Sequence, residues 1–367
     1  MKILLLGEYS NVHNTLANGL RRFGQKVTVA SNGDFWKDYP RDIDLSRTPG
    51  PLGGASLLSR VYCQLPFWRG FDIVQIINPL FLELRAKRLF PIYRYLRRHN
   101  KHVVLCAMGM DYYWVNECVT NKPLRYSDFN IGDELREDEC ALKEREDWIG
   151  TDKQHLNQYI ANDCDGIVAG LYEYYVCYHN NFAEKTSYIP LPIDSLPAGD
   201  MTTITPHRTP LKVFIGISKG RSQYKGTDIM LRAAEALQEK YPDKIELMKA
   251  EGVPFSEYEQ MINDADILLD QLYSYTPSMN TLLAMSKGIV CVGGGEPENY
   301  EIIGEKTLHP IINVQPTYES VYEELEKLIL HPEIIDDLKH QSISYVSRHH
   351  DYQNVAMQYM KFYSRLK

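Results

Sequence analysis

The chain opens on KILLL at 2–6, a short unbroken apolar run closed by Gly7 and a polar turn. The spacing then changes: Val12, Leu16, Leu20 and Phe23 recur at helical intervals, and Gly24 marks the stop. KVTVAS follows as a second strand. Strand, helix and strand in such short compass make a βαβ unit, whose strands belong to a parallel sheet. Further apolar runs recur at DIVQII (72–77), HVVLCAMG (102–109) and GIVAG (166–170), separated by helical or irregular stretches.

The second half repeats the scheme. LKVFIGI (211–217) opens it, and a helix is expected from about Thr227 to Lys240. IELMKA (245–250), DILLDQL (266–272), GIVCVGGG (288–295) and HPIINV (309–314) then follow as short strands. The pattern predicts two doubly wound α/β domains, at 1–200 and 208–344. Between them, at about 190–210, the chain is dense in Pro, Thr and Gly and reads as a linker. Residues 345–367 read as a terminal helix packing back on the first domain. A small echo supports the repeat: NDCDGIV at 162–168 and NDADILL at 263–269 each set an Asp pair just before a buried strand.

A length of 367 residues suits two domains, and 44% hydrophobic with 24% charged residues excludes a disordered chain. A net charge of -8 argues against binding nucleic acid by bulk attraction. The 7 cysteines include no C-x-x-C pair, so neither a disulfide framework nor a structural zinc site is expected. MKILLLGEYS is too short an apolar run for a signal peptide, and no run approaches the length of a membrane span. The expected setting is a reducing, cytoplasmic one.

Chemistry concentrates in the second half. Asp42-Ile43-Asp44 and the Asp pairs of the echo could be read as metal ligands, but Asp before a strand is an ordinary turn or cap residue, and no metal is expected. No G-x-G-x-x-G follows either first strand, which disfavours a nicotinamide enzyme. In FIGISKGRSQYKGTDIML (214–231), by contrast, Lys219, Arg221 and Lys225 fall on a loop at the carboxyl end of a parallel strand. Open α/β sheets bind ligands there, and cations suit a diphosphate. In YSYTPSMNTLLAMSKG (273–288), Thr276 reads as an N-cap and Pro277 as the first helical residue, presenting a free helix N-terminus to the same edge.

These residues carry a resemblance. K-G-T-D-x-x-L-x-A-x-x-x-L, the A-D-x-L-L strand, L-x-A-M-x-x-G-x-V-x-V and the G-G-x-x-E turn resemble the donor half of retaining GT-B glycosyltransferases, family 4-like or group 1. The opening G-E-x-S-x-x-H-x-x-L-A and the A-M-G-M-D segment at 107–111 resemble their acceptor domain. The resemblance implies two Rossmann-like domains with a cleft between them, and a nucleotide-sugar donor with no further cofactor. It implies that Lys225, with Arg221 or Lys219, neutralises the leaving diphosphate. Val253 would meet the base, Thr276 and its neighbours the phosphates, and Glu298 is the glutamate of the G-G-x-x-E turn. Asp111 would orient or deprotonate an acceptor hydroxyl, with turn capping as its plainer role. His13, beside the Gly7 turn, would face the acceptor, with an ordinary surface histidine as the alternative. The family's glutamate pair, seven residues apart, falls here on Tyr275 and Leu283. Asp270, Gln271, Tyr273 and Asn280 are the polar groups nearby.

The implied activity is metal-independent transfer of a hexose-like sugar to a hydroxyl of a glycan or lipid-linked acceptor, with retention, in bacterial-type polysaccharide or glycoconjugate synthesis. The alternatives are a non-catalytic sugar-binding or scaffolding protein and a nucleotide-sugar epimerase. Segment 81–101 holds seven Lys/Arg against one Glu among apolar residues. It reads either as a peripheral contact with the inner face of a membrane or as a solvated helix. Segment 128–152, with ten acids against three bases, reads as a mobile acceptor-side insertion or a soluble helix pair.

Overall fold

The computed structural model describes residues 1–194, 206–253 and 255–366. Most of the expected linker, 195–205, therefore lies outside the described residues. The chain divides into two compact units. One comprises Met1–Pro123, Lys143–Pro192 and Tyr352–Lys367, the other Leu124–Leu142 and Ile193–Asp351.

Strands up to residue 194 are β1 (Lys2–Leu6), β2 (Lys26–Ser31), β3 (Ile43–Asp44), β4 (Ile73–Ile76), β5 (His102–Ala107), β6 (Asn130–Ile131), β7 (Glu134–Leu135), β8 (Gly166–Ala169) and β9 (Thr186–Tyr188). Seven of them make the first unit's parallel sheet, in the order β3-β2-β1-β4-β5-β8-β9. The central strands are apolar on both faces because helices cover both. On one face the helix Val12–Arg22 packs against the helix Tyr352–Tyr363, and Gly19 makes the approach possible. A Cβ there would lie 2.5 Å from the Tyr352 carbonyl oxygen and 2.8 Å from the Ala356 methyl.

The second unit holds β10 (Leu211–Ile217), β11 (Ile245–Glu251), β12 (Ile267–Leu269), β13 (Val290–Gly293) and β14 (Ile312–Asn313), in the parallel order β11-β10-β12-β13-β14. The helix Thr227–Lys240 covers one face with Met230, Ala233, Ala234 and Leu237.

Two boundaries differ from the sequence expectation. Residues 345–349 finish a helix of the second unit, Ile335–His349, and the terminal helix begins only at Tyr352. Residues 124–142, expected inside the first domain, belong to the second unit because Arg125, Tyr126 and Arg136 are bonded there.

The aspartates before strands have one structural job. Asp42, Asp72, Asp165 and Asp266 each precede a strand and accept the backbone N–H of Val29, Lys2, Val103 and Lys212 on the neighbouring strand. Asp42, Asp165 and Asp266 also pair with Arg21, Arg97 and Lys339. Asp264, the other half of the second echo, pairs with Arg208 and Lys212. The echo is thus a strand staple repeated in both units. Among the described residues, no helix is long and apolar enough to cross a membrane.

Candidate functional site

At the carboxyl edge of the second unit's sheet, β10 runs into Ser218–Arg221 and then the four-residue turn of helix Ser222–Lys225. Lys219 and Arg221 are exposed and Lys225 is half-buried. The Arg221 guanidinium lies 5.1 Å from the Tyr224 ring centre. Lys225 is tied to the next strand: its carbonyl accepts from the Leu272 N–H at 3.0 Å, and its charge acts on Asp270. Burial raises the Asp270 carboxyl, against a bond from Thr281 and the Lys225 charge that lower it. Thr281 stands in the first turn of the helix Met279–Ser286, so the cation loop and that helix start meet around Asp270.

The helix start itself differs from expectation. Ser278, not Thr276, is the N-cap, and Pro277 precedes the helix. Thr276 and Pro277 are buried instead, with the Ser274 hydroxyl donating to the Thr276 carbonyl at 2.6 Å. Asn280, in the first turn of this helix, is exposed. Val253 is half-buried against a separate apolar cluster on the other side of β10.

The remaining residues are gathered by a strap, 124–142, that the sequence did not mark as part of this site. The Arg125 guanidinium donates to Glu298 at 2.5 Å and to Glu296 at 2.7 Å, over the face of Tyr275. Its backbone N–H donates to the Tyr275 hydroxyl at 2.7 Å. Burial pushes the Glu296 carboxyl up, but bonds from Tyr126, Asn313 and Gln315 and the Arg125 charge outweigh it and hold the group below its ordinary range. Tyr273 is a stacking platform: the Arg136 guanidinium sits 3.6 Å from its ring centre. At the two positions of the family's glutamate pair, Tyr275 is buried and Leu283 is exposed.

The first unit uses its marked residues differently. Gly7 ends β1 at φ +82, where a Cβ would collide with the Ile77 side chain and the Phe81 carbonyl. His13 is fully buried rather than on the surface. Its Nδ1 lies 2.8 Å from the Gly7 carbonyl and its Nε2 3.1 Å from the Gln75 amide, while the Tyr363 hydroxyl donates to Gln75 at 2.7 Å. Burial lowers His13 to about 4, so the ring is neutral, with Nδ1–H donating to Gly7 and Nε2 accepting. Asp111 is also fully buried and is the N-cap of the helix Tyr112–Thr120. One oxygen accepts from the Trp114 N–H at 2.9 Å, the other from the Tyr178 hydroxyl at 2.7 Å, and burial raises the carboxyl to about 7.

Glu8, part of the G-E-x-S opening but given no role there, is buried in the structure. Its carboxyl accepts the N–H groups of His13 and Asn14 at the start of the helix Val12–Arg22, and burial raises it to about 8. It borders a cavity of about 220 Å³ at the carboxyl ends of β1 and β4, lined mainly by Phe35, Leu45, Leu80, Phe81 and Leu84.

Two Rossmann-like parallel sheets in one chain, with cations at the carboxyl edge of the second, define the GT-B fold class. Solved structures agree. HepE from Anabaena in complex with UDP-glucose is 13% identical, with 100% of each chain covered and a TM-score of 0.58. Sucrose-phosphate synthase from Thermosynechococcus elongatus is 12% identical, with 100% of this chain and 99% of that chain covered and a TM-score of 0.61. A UDP-N-acetylglucosamine 2-epimerase is 10% identical over 98% of this chain and 94% of its own, at a TM-score of 0.52. By sequence, the chain matches no family model and no curated protein.

Proposed function

We propose that this protein is a glycosyltransferase that takes a sugar from a UDP-sugar and passes it to a hydroxyl of a glycan or lipid-linked acceptor. The observation that supports this reading best is the meeting of the Lys225 loop with the start of the helix Met279–Ser286 around Asp270. Charge accumulates on the leaving diphosphate in such a transfer. Lys225, Arg221 and the helix dipole would stabilise it from fixed positions, which is electrostatic preorganisation. Cations in place of a metal ion fit the engagement of the Asp-x-Asp carboxylates in strand staples and ion pairs. Retention follows the family resemblance.

A nucleotide-sugar epimerase is the second reading. It draws on the loss of both family glutamates and on the epimerase among the similar structures. The two readings share the diphosphate site and differ in the need for an acceptor. Transfer of radiolabelled sugar from UDP-glucose or UDP-N-acetylglucosamine to a membrane lipid or glycan extract tests the first. Epimerised donor with no transferred label would decide for the second.

The setting proposed is the cytoplasmic face of a membrane that carries the acceptor. The helix Ala86–His99 buries its apolar stripe, Leu89, Ile92, Tyr93 and Leu96, inside the first unit. Arg97 is paired with Asp165 and Lys87 with Asp152. Any surface contact by this segment is therefore electrostatic rather than insertive, and weakens with salt.

A further inference from the structure

The strap supplies a second, buried arginine whose geometry bears on the cation loop. Arg136 is 8% exposed, the least expected place for a guanidinium in a stretch of ten acids and three bases. Its two terminal nitrogens are bonded to backbone carbonyls. Nη2 donates to the Gln223 carbonyl at 2.8 Å, and Nη1 to the Tyr224 carbonyl at 3.1 Å and the Ser127 carbonyl at 3.3 Å. Asp138 lies 3.0 Å away as the counter-ion, and the plane stacks on Tyr273. Gln223 and Tyr224 are the two residues immediately before Lys225, so the guanidinium fork grips the end of the turn that carries the lysine. The strap also fixes the Tyr224 ring, with Phe129 edge-on at 6.5 Å, and Arg221 lies over that same ring.

A four-residue turn between a strand and a helix has little stability of its own. Left to itself, such a loop pays an ordering cost when a ligand binds, and that cost is subtracted from affinity. A buried arginine already bonded to the loop's carbonyls removes it. We propose that Arg136 is the positioning residue of the diphosphate site: it holds the 221–225 loop so that Arg221 and Lys225 meet the diphosphate preorganised. This rests on the donor-site reading above. Arg136 does not touch the ligand; it acts through the loop, and its planar fork is what lysine cannot reproduce.

The test is calorimetric titration of UDP into the full chain at low and high salt, for wild type, R136K, K225A and the double variant. R136K keeps the buried charge beside Asp138, and its melting temperature separates a fold defect from a loop defect. The expected result is about tenfold weaker UDP binding in R136K, the size of losing one charge-assisted hydrogen bond. The double variant is expected to lose clearly less than the sum of the two single losses, because Arg136 acts in part through Lys225. The salt dependence of binding should flatten in R136K as it does in K225A. UDP binding by R136K equal to wild type, or a loss that adds fully to that of K225A with salt dependence intact, overturns the proposal alone. Absence of UDP binding by wild type overturns the donor-site reading and this proposal together.

Discussion

The carboxyl edges of the two sheets both carry ionisable residues and put them to opposite use. In the first unit, Glu8, His13 and Asp111 are all buried, and their partners are backbone N–H groups, a carbonyl, an amide and a tyrosine hydroxyl of the same unit. In the second, Lys219 and Arg221 are exposed and Lys225 is half-buried. Buried polar groups bonded inside the protein hold a fold, whereas the exposed Lys219 and Arg221 can be reached by a ligand. The difference is burial, which residue type and spacing do not report.

The largest expected effects are therefore on stability, in the first unit. Asp111→Ala removes a helix cap and leaves the buried Tyr178 hydroxyl without its acceptor. A cost of about 3 kcal/mol is expected from those two losses, read as the chemical-denaturation midpoint at constant slope. Asp111→Asn should recover part of it.

pH gives the same edge a second signature. Glu8, at about 8 in the fold, and Asp111, at about 7, bind protons more tightly folded than unfolded. Their stabilising contributions are complete below their unfolded values and are lost as pH rises toward 8. His13, at about 4, has the opposite sign: the unfolded chain binds its proton first, so stability falls as pH drops from 6.5 toward 4. The acid and histidine contributions oppose each other below 6.5, and above it the acids act alone. The melting temperature should fall between pH 6.5 and 8, and Glu8→Gln should make that fall shallower.

At the second unit's cation loop the effects should fall on binding with stability unchanged. Lys225→Ala is expected to weaken UDP binding tenfold or more, with a melting temperature near wild type. Arg125→Ala, outside that loop, breaks ion pairs with Glu298 and Glu296 and a stacking contact on Tyr275, and an unfolding cost of about 1 kcal/mol is expected. Lys219→Ala, at an exposed loop position, should change UDP affinity by less than about twofold. A loss in Lys219→Ala as large as in Lys225→Ala would show a diffuse field rather than a built site.

Much of the architecture was legible from the chain. Both parallel sheets, their repeated βαβ units and the cation loop follow from apolar runs broken by glycine and helical spacing. Two features were hidden. The strap 124–142 joins the second unit through single residues, Arg125, Tyr126 and Arg136, and a lone arginine among acids has no periodicity to mark it. His13 and Asp111 matched a pattern of residue types, and only three-dimensional packing shows that both are enclosed. The N-cap moved from Thr276 to Ser278 for a local reason: the Thr276 carbonyl is bonded by Ser274, which keeps that turn outside the helix.

Thermal unfolding with UDP added is the sharpest test of the proposal that the second unit holds a nucleoside diphosphate on the Lys225 loop. A ligand at a hundred times its dissociation constant adds about 2.7 kcal/mol to the folded state. A clear rise in melting temperature is expected for the wild-type chain, cut to about half or less in Lys225→Ala. An unchanged melting temperature with UDP, GDP and ADP alike, or a full rise retained in Lys225→Ala, would contradict it.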